Sequence, residues 1–430
     1  MERKITNSLI QWKNSPSRKP LVLHGGRQSG KTYALMQFGK QYYKNVAYFN
    51  FDNSTRLKTI FDKVTDTNKI ISELSVISGQ NILKHDTLII LDEMQAYGHV
   101  VNSLKFFMQN NNDYHIIATM SVNNIKSIIL KETLQSLEHL TMHPLDFEEY
   151  LLFLGENKSI ERIRHCFDTF EPMNEFEHNR LMNIYNSYLI TGGMPSVVKE
   201  YYSSGDQHFS IIEQKKITDL YIADMLRYAP ATENAKIFSA FSSIPLQLEK
   251  ENRKFMYSII KKGGRANEFD KAISWLLDCG SVIKCPKICE GKHANLTYLD
   301  LSSFKLYLSD TGLLFSKFDI PIYSLYLSND IQNIYKSALT ESYVAGALHK
   351  NGHMLNYWVS AYEAEIDFVI NDKQGNIVPI EIEYTKNEAT KSMEKFKKKY
   401  ASPYVINITA GNFEINKYAR YVPLYAVHCI

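Results

Sequence analysis

Residues 25–32 read Gly-Gly-Arg-Gln-Ser-Gly-Lys-Thr, an order of glycine, lysine and hydroxyl suited to holding phosphate. Glycines at both ends of the loop let successive backbone N–H groups converge on an anion without an intervening Cβ. A helix opening at Lys31 would add the partial positive charge of its N-terminus. Lys31 is then placed to reach the β- and γ-phosphates of a nucleotide, and Thr32 to ligate Mg²⁺. Nucleotide contacts are expected from Gly25, Gly26, Arg27, Gln28, Ser29, Gly30, Lys31, Thr32 and Tyr33. Arg27 is either a charge on the phosphate or a solvated side chain, and residue type alone does not choose.

A second stretch, TLIILDE at 87–93, supplies what such a loop needs. Its apolar run reads as a buried central strand, with Asp92 at the C-terminal end to hold magnesium through water. Glu93 is placed to polarise the attacking water, so hydrolysis is expected beyond binding. A third run, HIIATMS at 115–121, ends in Thr119 and Ser121, either of which could sense the γ-phosphate or position water; the alternative is two strand-end turn formers. An arginine donated from elsewhere carries no local signature, so none is assigned.

These residues need elements to hold them. Between 20 and 145, short β-rich runs (PLVLH, NVAYFNFD, DTLIILDE, HIIATMS) alternate with helical patterns, the pattern of a parallel sheet covered by helices. From about 145 to 260 the chain turns helical and aromatic-rich, interrupted at TGGMP (191–195), read as a tight turn between helices. Residues 250–310 read as a small helical unit ending in a hairpin, the order of a winged helix-turn-helix. The last section, about 330–430, returns to mixed α/β: a helix, three strands with a turn at KQGN, a lysine-rich helix and the strand YVINIT.

Bulk properties set outer limits. A chain of 430 residues, 44% of them apolar, can bury a sizeable core and suggests two to four domains. A net charge of +3 is too weak a bias to imply nucleic acid without a local patch. No apolar run is long enough to span a bilayer and no leader-like segment opens the chain, so a cytoplasmic protein without membrane contact is expected. Five cysteines, Cys166, Cys279, Cys285, Cys289 and Cys429, show no zinc-binding spacing and read as reduced, mostly buried thiols.

The chain resembles a bacterial and archaeal group of AAA-type P-loop ATPases whose C-terminal region is restriction-endonuclease-like. The resemblance is carried by GGRQSGKT, by PLDFEEYL at 144–151, YLITGGMPSVVKEY at 188–201 and FKLYLSDTGLL at 304–314, and by ESYVAGAL, YWVS, EIDFVI and PIEIE between 341 and 383. It implies an α/β fold in four parts: a P-loop core (1–145), a lid-like helical extension (146–235), a winged-helix-like unit (236–315) and a nuclease-like α/β domain (316–430). One departure is Thr119-Met120-Ser121, where similar chains carry Thr-Gly-Ser; methionine does not share glycine's access to positive φ.

A nuclease of the PD-(D/E)xK kind needs an acid on one strand, a second acid on the next, and a lysine two positions later, the carboxylates binding Mg²⁺. Asp367 and Glu381 fit the acids, and Glu341 on the preceding helix could add a third. Strand alternation places Glu381 and Glu383 on one face. Position 383, where the pattern wants lysine, is glutamate, which favours metal binding and removes the activating cation; Lys386 could substitute if the strand ends early. The run KFKKKY at 395–400, with Lys386 and Lys391 before it, reads either as a DNA contact or as the outer face of a helix covering a sheet. Lys261, Lys262 and Arg265 carry the same two readings. The expected activity is Mg-ATP hydrolysis that drives or gates a conformational change, with ATP and Mg²⁺ bound. A nucleotide-switched docking module with an inactive tail and an ATP-gated nuclease are the alternatives. DNA, a protein client and further copies of the chain stay open as partners.

Overall fold

The computed structural model describes residues 3–52, 54–63, 66–110, 113–122, 128–288, 299–319, 330–360, 364–383 and 390–430. Two sheets organise it. The first holds β1 (Leu21–His24), β2 (Asn45–Asn50), β3 (Thr87–Asp92), β4 (His115–Met120) and β5 (Glu138–Thr141) in the order β2-β3-β4-β1-β5. All its pairings are parallel. Both faces are therefore covered, and the sequence accounts for it: every residue of β3 and of β4 is buried, as expected of central parallel strands. One face packs Val22, Ile89 and Leu91 with Val101 and Leu104; the other packs Leu21, Leu23 and Ile90 with Leu35 and Phe38.

The order places β1 beside β4, and the chain leaves β1 toward β2 but leaves β4 toward β5, in opposite directions. A crevice opens there beyond the C-terminal ends of the strands, where ligands of open α/β sheets sit. Helix Lys31–Tyr42 follows β1 directly, and helix Phe147–Phe153 follows β5. The latter starts with a capping box, Asp146 accepting from the Glu149 N–H and Glu149 reaching back.

The second sheet contains β6 (Val282–Ile288), β7 (Leu299–Leu308), β8 (Asn356–Val359), β9 (Glu365–Asn371), β10 (Ile377–Glu383), β11 (Val405–Thr409), β12 (Glu414–Ile415) and β13 (Ala419–Pro423). Its order is β12-β13-β11-β10-β9-β8-β6-β7. The β6–β7 hairpin expected to close a separate middle unit instead continues this sheet, β6 pairing in parallel with β8 through Lys287 and Tyr357. A single hydrophobic core runs from Leu145 through Phe241, Leu276 and Phe315 to Val427, across the expected limits at 235/236 and 315/316. The second of these limits falls inside helix Thr311–Phe318. The reason is geometric: the hairpin's inner face shares Tyr307, Tyr357 and Phe368 with the strands beside it, so neither part closes its core alone. The KFMYSIIKK stretch forms only the single turn Tyr257–Ile260.

On the other face of the second sheet, Met393 and Phe396 of helix Thr390–Tyr400 pack with Trp358, Ile366 and Val369. Lys397 lies over Tyr418 and Lys399 over Trp358, while the apolar face of the helix covers the sheet, the simpler of the two readings of the basic run. Cys166, Cys279 and Cys285 are buried free thiols. Cys289 and Lys386 lie outside the described residues.

Candidate functional site

The chain leaves β1 at His24, turns through the glycine loop and enters helix Lys31–Tyr42 with Gly30 as N-cap at φ 95°. That left-handed conformation is what glycine supplies without strain. No side chain caps the helix, so its first N–H groups are left for the concavity of the loop. Ser29 Oγ is buried there without a partner. Lys31 is 5% exposed and folds back over the loop, donating to the Gly25 and Gly26 carbonyls at 2.8 and 3.1 Å and to Ser121 Oγ at 3.0 Å. Burial holds its pKa below the usual lysine value, with Glu93 and Asp92 pulling the other way. A cation so placed, among carbonyls and beside two carboxylates, is poised for an anion.

Asp92 ends β3 and is buried. It accepts from Thr32 Oγ1 at 2.9 Å, Tyr48 Oη at 2.7 Å and Thr119 Oγ1 at 2.5 Å. The helix N-terminus, β2, β3 and β4 thus meet on one carboxylate. Glu93 follows at φ 56°, a left-handed turn that swings its side chain toward β4. Its N–H donates to Thr119 Oγ1 at 3.0 Å, and its carboxylate accepts from Ser121 Oγ at 3.2 Å and from Gln95 Nε2. Gln95 Oε1 accepts in turn from the Ser121 N–H at 3.2 Å. Lys31, Ser121, Glu93 and Gln95 therefore form one connected set.

Thr119 and Ser121 are buried members of the site, not loose strand-end turn formers. Met120 sits between them in regular β4, buried, its carbonyl accepting from the Gly25 N–H at 3.2 Å. The strand manages without the glycine of similar chains. Gly25, Gly26, Ser29, Gly30, Lys31, Thr32, Asp92, Glu93, Thr119 and Ser121 converge, whereas Gln28 and Tyr33 face solvent. Arg27 is not solvated: its Nη1 lies 2.8 Å from Asp224 Oδ1, on helix Gln207–Tyr228.

Four participants escaped the sequence. Tyr48 is brought in by strand register, lying opposite Ile90 two residues before Asp92. Gln95 stands two residues past Glu93, a weak signal visible only once Glu93 is placed. Arg3 ties the loop to its surroundings by donating to Glu149 Oε1 and to the Ser29 and His143 carbonyls, at 3.0, 2.9 and 2.7 Å. Asp224 is 197 residues from its partner and has no local signature.

In the C-terminal part, Asp367, Glu381 and Glu383 line a cavity of about 870 Å³ with Glu341, Glu365 and Lys305. Glu341 is not available as a third metal ligand: fully buried, it is held by Arg253, by Lys305 Nζ at 3.1 Å and by Tyr307 Oη at 2.5 Å. Two cations and a hydroxyl occupy most of the acceptor sites of its carboxylate, and a metal ion would have to compete with them. Asp367 accepts from the Ile382 N–H at 2.9 Å. Glu381 Oε2 is buried without a partner, and burial, with Asp367 and Glu383 adding, raises its carboxyl to about 9. Among the described residues no group of three or more His, Cys, Asp or Glu could hold a metal ion. The buried Lys305, from β7, lines the same cavity and pairs with Glu341 and Glu365, and no strand pattern pointed to it.

Comparison with known proteins divides the chain in three. Residues 17–151 match the family model of an AAA domain. Residues 182–321 match a domain of unknown function, DUF8612, and residues 336–427 another, DUF4143. An uncharacterized protein of Methanocaldococcus jannaschii is 27% identical over 197 residues, 45% of this chain. The match spans 39% of that relative's length. Among solved structures, the Walker-type ATPase of Pyrococcus abyssi aligns with TM-score 0.46 at 12% identity, over 74% of this chain and 95% of its own. The Orc1 protein of Aeropyrum pernix in complex with DNA aligns with TM-score 0.28 at 12% identity, over 76% and 93%. The AAA-domain match thus falls on the parallel α/β sheet and its glycine loop. Among the described residues no helix is long and apolar enough to cross a membrane.

Proposed function

We propose that the chain is an ATPase that binds Mg-ATP at the Gly25–Thr32 loop, hydrolyses it with Glu93, and converts the cycle into movement of the helices joining this loop to the second sheet. The observation that carries it is the joining of Lys31 to Glu93 through Ser121, beside Thr32 joined to Asp92, at the ends of three neighbouring strands. A P-loop, an acid pair and a polar strand end have little other reason to be wired together. Lys31 would leave the Gly25 and Gly26 carbonyls for the β- and γ-phosphates. Thr32 and Asp92 would hold Mg²⁺, which when bound neutralises charge on the phosphates. Glu93, kept in place by Gln95 and Ser121, would accept a proton from the attacking water. Ser121, touching both Lys31 and Glu93, would register whether the γ-phosphate is present.

For the C-terminal part we propose a restriction-endonuclease-like domain used for docking, on DNA or on protein, and not for cleavage. What favours it is the state of the carboxylates: Glu341 is paired with Arg253 and Lys305, and glutamate stands at position 383 where the nuclease pattern wants lysine. The helices Asn234–Leu248, Tyr257–Ile260 and Ala266–Asp278 with the β6–β7 hairpin are read as a winged-helix-like unit presenting Lys261, Lys262 and Arg265 on its surface.

One assay tests both readings: Mg-ATP turnover of wild type and Glu93→Gln, with and without supercoiled plasmid at low salt, the plasmid being run on a gel afterwards. The expected result is a loss of turnover in Glu93→Gln on the order of a hundredfold or more, with nucleotide binding retained. Undiminished hydrolysis would remove Glu93 as the base. Stimulation by plasmid would make the docking partner DNA, and a metal-dependent nick abolished by Asp367→Ala would replace the docking reading with a nuclease.

A further inference from the structure

Arg27 is the one charged side chain of the loop besides Lys31, and it pairs with a helix nearly two hundred residues on. Its Nη1 lies 2.8 and 3.1 Å from the two carboxylate oxygens of Asp224, the side chains being 23% and 9% exposed. Three further side chains, Tyr221, Arg227 and Tyr228, bind the same helix, Gln207–Tyr228, to the core. Tyr221 Oη donates to the Arg27 carbonyl at 3.1 Å and lies 2.8 Å from where a Cβ on Gly26 would stand. One turn on, Arg227 and Tyr228 both bond Asp52 Oδ1 at 3.0 Å, just past β2.

We infer that Asp224 occupies the place of a nucleotide phosphate on Arg27, so that phosphate binding displaces it and releases the end of this helix. This rests on the P-loop being the nucleotide site. A polyphosphate entering the loop meets like charges at Asp92, Glu93 and Asp224, with Asp52 beyond, and finds the Arg27 guanidinium already taken. The two anions compete for Arg27, and the phosphate carries the greater charge. Burial already acts against the Asp224 carboxylate, with Arg27 its main support. Once Arg27 turns to phosphate, a buried carboxylate is left unpaired, which is relieved by protonation or by outward movement of the helix end into water, and the latter is the movement inferred.

The other half of the helix shows where that movement goes. Gln214 Nε2 donates to the Ile190 and Thr191 carbonyls at 2.7 and 3.2 Å, and Lys215 pairs with Asp319 at 3.2 Å. The helix thus joins the loop to the turn at Gly192 and to the end of helix Thr311–Phe318, which follows β7 in sequence. The helix therefore runs from the loop to the helix that follows β7, the strand carrying Lys305.

The test is a set of binding titrations with a fluorescent, slowly hydrolysed ATP analogue and Mg²⁺ on the full chain, for wild type, Asp224→Asn, Arg27→Met, the double variant and Lys31→Ala. Asp224→Asn should bind about tenfold more tightly, about 1.4 kcal/mol, and the gain should vanish in the Arg27→Met background. Hydrogen exchange of wild type should rise at 219–228 when the analogue binds. Equal affinity of wild type and Asp224→Asn, weaker binding by the variant, or a gain that survives Arg27→Met each overturns the inference while the P-loop reading stands, provided Lys31→Ala loses binding. Binding untouched by Lys31→Ala, or absent from every variant, overturns both.

Discussion

Glu381 shows what the tail does with a carboxylate it cannot pair. Its oxygen Oε2 is buried at the cavity, Asp367 and Glu383 stand near it, and its carboxyl is raised to about 9 from 4.5. The folded chain therefore keeps a proton that the unfolded chain gives up above about pH 4.5. Since the native state binds more protons between these values, stability contributed by this group falls as pH rises through that window. Glu381→Gln removes the titration and leaves the shape. The variant should match wild type near pH 4.5 and exceed it progressively toward pH 9, by at most about 1.4 kcal/mol per pH unit. Paired urea melts at pH 5, 7 and 8.5 would read this, and a difference constant with pH would show Glu381 to be ionised in the fold. The neighbouring Glu341 is the opposite case, a buried carboxylate held by Arg253, Lys305 and Tyr307.

At the scale of elements, the turn at 191–195 does more than join two helices. Gly192 has φ 68°, and Pro195 opens the next helix at its first position. Between them the Gly193 N–H donates to Asp310 Oδ2 at 2.7 Å and its carbonyl accepts from the Leu145 N–H at 2.7 Å. Asp310 also caps helix Thr311–Phe318 through the Leu313 N–H. Three elements from distant parts of the chain close on one residue, and a Cβ at Gly193 would run into the Leu145 carbonyl. Gly193→Ala should therefore cost about 1–3 kcal/mol by overpacking, seen as a lower urea midpoint. Because Pro195 also lies 3.3 Å from where a Cβ on Gly30 would be, the variant should weaken nucleotide binding too. A variant as stable as wild type would mean the turn can shift as a unit. The β6–β7 hairpin makes the same point in strands: a wing by sequence, it is the flank of a larger sheet in the fold.

The whole molecule holds several histidines as neutral rings, His115 and His428 buried and His24 and His143 half-buried, and they contribute to its response to acid. His24, His115 and His428 are lowered to about 4 and His143 to about 3, in each case chiefly by burial. Below 6.5 the unfolded chain takes up protons that the folded chain refuses, so the stability they support is present above 6.5 and is lost as pH falls toward 4. With Glu381 acting in the other direction, the melting temperature should peak near pH 6.5 and decline on both sides, the alkaline limb flattening in Glu381→Gln. A thermal melt series from pH 4.5 to 9 checks it, and a melting temperature level from 6.5 down to 4.5 would count against the neutral rings. The sequence by itself determined what is local: the glycine loop, the strand ending in Asp92 and Glu93, the hydroxyls of β4, and the helix and strand order of the tail. Each depends on neighbours within a few residues, through φ freedom, apolar runs and strand alternation. Tertiary structure alone decided the rest. Tyr48 reaches Asp92 because two strands share a register, Asp224 reaches Arg27 because a helix folds back, and Glu341 and Lys305 cancel because β7 joins the tail sheet. Long-range pairing of charges depends on which surfaces exclude water together, and no short stretch of chain carries that information.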